Sequence, residues 1–213
     1  SFPTIPNACE LLAQVTVSGG NITAVLDQRT PASYAREGVF DVTDTLYGAV
    51  GDGVTDDRAA IQACFDAITG RDQKTVLLPA GTYYVGDFAL NTKIIDLSAC
   101  GDGIRIKTRG KVTLFCNTTF VTALPRFVYL ENNNNFYCEP ICFLDSAFDG
   151  SALIGAIGFY LHNDGTLDWG NCTFESVTCE NMGVAFMISA LDGPPDPLHR
   201  IRNITIHSLF SNN

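Results

Sequence analysis

The fold is decided by YGAVGDGVTDD at residues 47–57, RAAIQACFDAI at residues 58–68 and, beyond Gly70, LPAGTY at residues 78–83. The first stretch is a glycine-punctuated loop. The second has apolar residues at helical spacing and predicts an amphipathic helix that ends before Gly70. The third predicts two short strands, 75–78 and 82–85, that meet at a sharp Pro-Ala-Gly corner. The chain therefore passes from a loop through one helix into β-structure.

The acidic end of the loop is expected to support the start of this helix. Thr55 is placed to cap the first turn through its hydroxyl. Asp56 and Asp57 follow, where the helix dipole favours negative charge. The sequence thus predicts structural roles for these residues.

Downstream of the helix, short runs rich in Val, Ile, Phe and Tyr alternate with Asn, Asp and Gly. This pattern predicts many short strands, which suit a solenoid, a sandwich or a jelly roll. The segments NCTFES at residues 171–176 and NITIHS at residues 203–208 match at Asn, Thr and Ser with an offset of 32. A fixed repeat of this length favours stacked turns of a solenoid.

Upstream, residues 12–17 and 22–26 are extended runs on either side of SGGN at residues 18–21. They predict a β-hairpin. Pro31 and Gly38 bracket a connector, so residues 1–38 form an N-terminal segment and residues 39–213 the main β-region.

The stretches at 47–57, 59–62 and 78–83 closely resemble the start of the pectate-lyase-like β-helix superfamily. Polygalacturonases, exo-acting glycan hydrolases and many phage tailspikes belong to it. The resemblance implies an all-β, right-handed parallel β-helix whose N-terminal end is closed by the short helix, with residues 39–213 as its first turns. It also implies that the loop residues form a structural cap motif and take no part in catalysis. These residues are Gly51, Asp52, Gly53, Thr55, Asp56 and Asp57.

Residues 12–27 resemble a segment that precedes the β-helix in phage tail-fibre and tailspike proteins. Taken together, the two resemblances imply the N-terminal part of a virion tailspike, truncated at its C-terminal end. Such a protein is expected to be a homotrimer that attaches to other tail proteins through residues 1–38. It would act outside the cell, where it recognises and, on one reading, degrades host surface polysaccharide.

Composition and charge limit the classes of molecule that the protein is expected to bind. The chain has 213 residues, 46% hydrophobic and 17% charged, with a formal net charge of −10. This charge repels the phosphates of nucleic acids and of anionic membranes, and no apolar run reaches the ~20 residues that span a bilayer. Glycans remain suitable partners. The eight cysteines are expected to be mostly buried thiols, with Cys138 and Cys142 as the pair to bridge if any does.

Catalysis of glycan cleavage would need two nearby carboxylates. Asp145 and Asp168 are candidates if they lie one turn apart, with Trp169 as a surface for stacking a sugar and Glu175 as a third acid. The competing reading makes these acids turn and surface residues. The polygalacturonase motifs are missing, and no cofactor or metal site is expected, since the histidines are scattered. A secreted polygalacturonase-like hydrolase or lyase and a purely structural shaft therefore stay open as alternatives.

Overall fold

The computed structural model describes residues 13–18, 21–27, 38–72, 74–88, 92–118, 125–146, 155–164, 169–190 and 201–212. The chain divides into two compact units, Ser1–Gly38 and Val39–Asn213.

The described part of the first unit is an antiparallel hairpin. Strand β1, Ala13–Ser18, pairs with strand β2, Asn21–Asp27. The register shifts once, between Thr16 and Val17. The predicted hairpin is thus confirmed, whereas its role in tail attachment stays a prediction.

The second unit consists of short parallel strands and one α-helix. In chain order these are β3 Val39–Asp41, β4 Asp52–Asp56, α1 Arg58–Ala67, β5 Thr75–Phe88, β6 Lys93–Asp96, β7 Arg105–Thr118, β8 Arg126–Glu131, β9 Tyr137–Cys138, β10 Ile141–Asp145, β11 Ile157–Asn163, β12 Trp169–Phe174, β13 Val177–Glu180, β14 Val184–Ala190, β15 Ile201–Ile206 and β16 Leu209–Asn212.

The strands stack into three flanks that follow one another in every turn. Flank A consists of β3, the first parts of β5 and β7, β9, β12 and β15; flank B consists of β4, the second parts of β5 and β7, β10, β13 and β16; flank C consists of β6, β8, β11 and β14. Every pairing in this unit is parallel. The unit is therefore the parallel β-helix that the sequence predicted, and the sandwich and the jelly roll are excluded.

The register confirms the predicted 32-residue repeat in the last turns. Trp169 pairs with Ile201 and Val177 pairs with Leu209. The corner between flanks C and A bends through a residue with positive φ at Gly103, Asn135, Asn171 and Asn203. Gly and Asn tolerate this conformation best, which explains the Asn-rich punctuation of the sequence. Asn203 also donates a side-chain hydrogen bond to Asn171 at 2.9 Å.

The corner between flanks A and B does not interrupt the strands as the sequence suggested. The two predicted strands around LPAGTY are one strand, β5, with a register irregularity between Pro79 and Gly81. A side chain at Gly81 would crowd this bend, because its Cβ atom would lie 3.0 Å from the carbonyl oxygen of Gly51. Short-range turn residues thus bend this strand without ending its pairing.

The interior is filled by side chains from all three flanks. A run of phenylalanines fills the centre of the later turns, with ring centroids 5.0 Å apart for Phe143 and Phe159, 4.7 Å for Phe159 and Phe174, and 4.9 Å for Phe174 and Phe186. Stacking of equivalent positions builds this core, since no single turn buries its own inner face.

The seven cysteines of the described residues are all free and buried. Cys138 and Cys142 are not bridged, which corrects the pair that the sequence favoured. Burial raises the pKa of the Cys142 thiol to about 11. These cysteines therefore act as small apolar core residues, as expected for most of them.

Helix α1 occupies the position of a flank C strand in the first turn and closes the end of the core with Ile61, Cys64 and Phe65. Its N-cap residue is Asp57, without a side-chain cap hydrogen bond. Thr55 does not cap the helix, because its hydroxyl donates to Asp52 at 2.9 Å from within β4.

The acids of the cap loop accept hydrogen bonds from the backbone. Asp57, which is 1% exposed, accepts from Val50 N at 2.6 Å and Gly51 N at 3.0 Å. Asp52 accepts from the N–H groups of Val54 and Thr55, each at 2.8 Å. Asp56 accepts from Arg58 N at 3.0 Å. Two further bends use Gly51 and Gly53, both with positive φ. These contacts give the loop a structural role.

Candidate functional site on flank C

Parallel register brings polar and aromatic side chains together on flank C. One row of paired positions contains Asp96, Tyr129, Tyr160 and Met187, and a second row contains Glu131, His162 and Ser189. Alternate residues of a strand face the same side, so members of both rows share one surface.

Two stacked tyrosines form the base of this cluster. The rings of Tyr129 and Tyr160 lie 5.5 Å apart with an interplanar angle of 16°. Together with Ile157 they form a separate apolar cluster, against which Val184 and Met187 pack. Both rings are largely buried, since Tyr129 is 4% and Tyr160 9% exposed.

Two cations lie against these rings. Lys93 Nζ is 3.7 Å from the centroid of Tyr129, and Arg126 Cζ is 4.1 Å from the centroid of Tyr160. Both distances are within the range of cation–π attraction. Within the described part of the chain, the buried Arg126 Nε has no hydrogen-bond partner.

Two carboxylates and a histidine complete the cluster. Lys93 Nζ lies 3.2 Å from Asp96 Oδ2 and 3.8 Å from Glu131 Oε2. The hydroxyl of Tyr129 donates to Glu131 Oε2 at 2.5 Å. The ring of His162 lies 6.1 Å from each tyrosine ring, and among the described residues its buried Nδ1 has no partner.

The local electrostatics differ from group to group. Burial, together with the hydrogen bond to Glu131 and its charge, raises the pKa of Tyr129 well above the usual value. Burial by itself would raise the pKa of Asp96, but hydrogen bonds from Ser98 and the neighbouring Lys93 outweigh it and lower that pKa. At neutral pH the cluster therefore presents the protonated phenol of Tyr129 and the ionised carboxylate of Asp96.

A cleft of about 560 Å³ adjoins the cluster between α1 and β6. Its lining includes Lys93 and Asp96. Helix α1 holds this strand in place, since Arg58 donates to the carbonyl oxygens of Lys93 and Ile94, and Gln62 exchanges two hydrogen bonds with the backbone of Asp96. The cap thus positions the cations and acids at the cleft.

This arrangement is suited to binding a sugar polymer. The side chains of Lys93, Asp96 and Glu131 retain 34, 36 and 30% of their surface, so a ligand outside the β-helix can reach them. Carboxylates accept from sugar hydroxyls, while cations pair with acidic sugars. The flat surface of a β-helix flank admits a long chain without a closed pocket.

The residues singled out by the sequence do not assemble into a site on this flank. Asp145, at the end of β10 on flank B, is fully buried, and Trp169, at the start of β12 on flank A, is 2% exposed. A glycan outside the β-helix cannot touch either side chain in this structure. Glu175 is half-buried at the corner that follows flank A and lies beside Tyr137. Burial, and after it the charge of Glu175, raises the pKa of Tyr137. Asp168 lies outside the described residues, so its pairing with Asp145 stays a prediction.

The flank C residues escaped the sequence reading, although one signal pointed to them. Residues 127–132, FVYLEN, and residues 158–163, GFYLHN, share Tyr, Leu and Asn at an offset of 31. The register confirms that offset, because Tyr129 pairs with Tyr160. His162 is one of the scattered histidines of the sequence, and the fold places it beside Glu131.

The described residues contain no group of three or more His, Cys, Asp or Glu side chains placed to hold a metal ion. Among the same residues, no helix has the length and apolar character needed to cross a membrane.

Comparison with known proteins agrees with this fold. Residues 39–139 match the family described as rhamnogalacturonase A/epimerase, pectate lyase-like. The mannuronan C5-epimerases AlgE1 and AlgE3 of Azotobacter vinelandii are 32% and 54% identical over 180 and 183 residues, in each case 79% of this chain. These matches span only 12% and 9% of the two epimerases.

A solved structure gives the same result. The A-module of mannuronan C-5 epimerase AlgE4 of Azotobacter vinelandii superposes with a TM-score of 0.54 at 24% identity, over 81% of this chain and 50% of that one. At this identity the likeness shows the fold alone. The chain therefore has the pectate-lyase-like parallel β-helix fold that its cap motif predicted.

Proposed function

We propose that this protein recognises an extracellular polysaccharide on flank C, as the glycan-binding part of a virion tailspike or tail fibre. The observation that carries the proposal is the cluster of partly exposed Lys93, Asp96 and Glu131 over two stacked tyrosines, next to a 560 Å³ cleft.

This cluster contains buried polar groups that the stability of the fold does not require. Leaving a buried donor or acceptor unpaired costs about 1–3 kcal/mol, and both Arg126 Nε and His162 Nδ1 are in this state within the described residues. Such groups in a native structure call for an explanation beyond packing. Ligand binding at the flank supplies one.

The relatives support an acidic polysaccharide as ligand. Mannuronan, the polymer named for the similar epimerases, carries a carboxylate on each sugar. Lys93 and Arg126 provide matching positive charge in a chain whose net charge is −10. Electrostatic complementarity of this kind selects between ligands of equal shape.

The virion context rests on the order of the two units. A hairpin that resembles tail-fibre segments precedes the β-helix. In this proposal the protein is a homotrimer at the tail, binds other tail proteins through residues 1–38 and acts at the host surface.

The test is binding of the full-length protein to mannuronan and to host envelope polysaccharide, measured by calorimetry. Arg126→Met removes the guanidinium charge that lies over the Tyr160 ring but keeps an apolar side chain. We therefore expect the affinity for the glycan to fall about tenfold. Arg71→Met is the matched control, since Arg71 also lies over a ring, that of Phe40, outside flank C. Equal affinity of both variants and wild type would overturn the flank C site. Absence of any glycan binding by the wild type would leave a structural shaft.

A second candidate is chemical modification of a uronate polymer, as an epimerase or lyase. Removal of a proton next to a carboxylate needs a cation to neutralise the acid, a base and a proton donor. Arg126, His162 and the protonated Tyr129 provide these three types of group on one flank. Incubation with mannuronan, followed by ultraviolet absorbance of unsaturated sugars and NMR of sugar configuration, tests it. Unaltered polymer would exclude it, and a rise in reducing ends alone would favour the hydrolase.

A further inference from the structure

A row of cations lies on a different flank from the proposed glycan site. Within residues 105–111 every second residue is basic, and this row holds four of the chain's 13 lysines and arginines. We call it the basic row; its members are Arg105, Lys107, Arg109 and Lys111. All four are exposed.

The geometry of β7 lines up these charges. Alternate residues of a strand face the same side, and a strand rises about 3.3 Å per residue. Arg105, Lys107 and Arg109 therefore project outward from flank A, with Lys111 at the corner that follows. From first to last the row extends roughly 20 Å, the length of several sugar units in an extended chain.

Neighbouring turns neutralise the row only in part. On one side Arg105, Lys107 and Arg109 pair with the uncharged Thr75, Leu77 and Pro79. On the other side Arg105 pairs with Tyr137. Glu139 follows on that side beside β7, where its Oε2 accepts a hydrogen bond from Thr108 N at 2.8 Å, and its charge offsets part of the row. Among the described residues, none of the four cations forms an ion pair.

We infer that the basic row is a second binding site, for a linear polysaccharide that carries one carboxylate per sugar. The positive charge is concentrated on one strand of a chain with a formal net charge of −10, and the four cations repel one another there with only Glu139 close by to offset them. A slender anionic chain lying along β7 offsets that repulsion. The half-buried ring of Tyr137 beside Arg105 offers an apolar face to the sugar.

A glycan fits this row better than a nucleic acid does. Duplex DNA is a thick rod with one charge per about 1.7 Å, so it would also meet the acidic surroundings that give the chain its charge of −10. A single glycan chain has fewer charges per length and contacts the row alone. The inference goes beyond the proposed function, since it concerns flank A and holds whether or not flank C binds sugar.

The experiment measures binding of mannuronan to the full-length protein at several salt concentrations, with dextran as the uncharged probe. The triple variant R105Q/K107Q/R109Q should lose about 10- to 100-fold in affinity at low salt, at roughly a factor of two to five per cation, and its binding should depend less on salt. Dextran binding should not change.

The matched control lowers the net charge by the same three units elsewhere. The variant L46E/V54E/L209E places acids at positions that are 50%, 80% and 50% exposed and lie away from the basic row. At physiological salt it should bind mannuronan within about threefold of wild type, because a Debye length of about 8 Å screens exposed charges that lie two or more strands from the row. An equal loss in both triple variants would overturn the inference, as would unchanged affinity and salt dependence of the first.

Two further arms separate this site from its rivals. R105K/R109K keeps the positive charge and should retain most of the affinity for mannuronan. If it loses as much affinity as R105Q/K107Q/R109Q, the row does not act through its charge. Tighter binding of duplex DNA than of mannuronan would also overturn the inference. If Arg126→Met leaves affinity unchanged while R105Q/K107Q/R109Q lowers it, the flank C proposal fails and the basic row stands.

Discussion

The cap loop and flank C are both rich in acids, but they use them in opposite ways. In the cap, Asp52 and Asp57 accept hydrogen bonds from backbone N–H groups two to seven residues away. On flank C, Asp96 and Glu131 share Lys93, and Glu131 accepts from the phenol of Tyr129. The partners of the first set are backbone groups of the same loop, whereas those of the second are side chains, and the Lys93–Glu131 pair joins two separate turns.

The difference separates structural acids from candidate functional ones. A carboxylate that satisfies several backbone donors stabilises a loop and has little left for a ligand. A carboxylate balanced by a partly exposed lysine can exchange that partner for a sugar hydroxyl. We therefore expect substitutions in the cap to lower stability and substitutions on flank C to lower binding.

The largest effect on stability is expected for Asp57→Ala. It removes the acceptor of the Val50 and Gly51 N–H groups from a position that is 1% exposed. Two donors left without a partner should lower the free energy of unfolding by about 2–4 kcal/mol. Urea unfolding measures the loss, and glycan affinity per folded molecule should not change.

The same residue has a pH signature. Burial raises the pKa of Asp57 above its usual 3.8, in spite of the hydrogen bonds from Val50 and Gly51. The folded state thus holds this proton more tightly, so the free energy of unfolding should fall as the pH rises from 3.8 through the folded pKa. Asp57→Asn should remove that slope. An unchanged slope would contradict the burial of an ionisable carboxyl there.

A smaller effect is expected for Tyr129→Phe on flank C. The change keeps the ring between Lys93 and Tyr160 and deletes only the hydrogen bond to Glu131, which should cost about 1 kcal/mol. Because burial raises the pKa of Tyr129, wild-type stability should fall as the pH rises above about 10, where the unfolded tyrosine ionises first. The variant should lack this loss in alkaline unfolding measurements, and a stability change above that of Asp57→Ala would break the comparison.

The smallest effect on stability is expected for Asp96→Asn. Its side chain is 36% exposed, and water screens its ion pair with Lys93, so the loss should be below about 1 kcal/mol. The pKa of Asp96 is lowered, so this contribution is present above pH 3.8 and disappears as the pH falls through the folded pKa. Glycan affinity should change more than stability, and the reverse result would assign Asp96 to the structural class.

The sequence predicted the loop–helix segment and the stacking of the last turns because both follow from short sequence patterns. The loop and helix of residues 47–68 and the 32-residue match of NCTFES and NITIHS need only neighbouring residues or one fixed repeat. Thr55 shows the limit of this reasoning. A threonine hydroxyl is chemically suited to cap a helix, but this one donates its hydrogen bond to Asp52 instead.

The candidate site could not be derived in the same way, since its residues belong to different turns and the turn length varies. Lys93, Arg126, Ile157 and Val184 occupy one row of flank C, and they are 33, 31 and 27 residues apart. No single period aligns them. The loops between the flanks change the length of each turn, and only the hydrogen-bonded register shows which residues meet.

The sequence by itself thus determined one helix, many short strands and a preceding hairpin, because glycines, acids and apolar periodicity act over a few residues. The parallel β-helix was implied by the resemblance of the cap motif to its superfamily. Tertiary structure alone decided which polar side chains share a surface. Successive side chains of a strand point alternately into the β-helix and away from it, and the register decides which ones point inward. Asp145 and Trp169 are buried as a result. Tyr129, Tyr160 and His162 meet on the outer face of flank C. The packing of successive turns against one another decides which side chains face outward, and this cannot be read from any single segment of the chain.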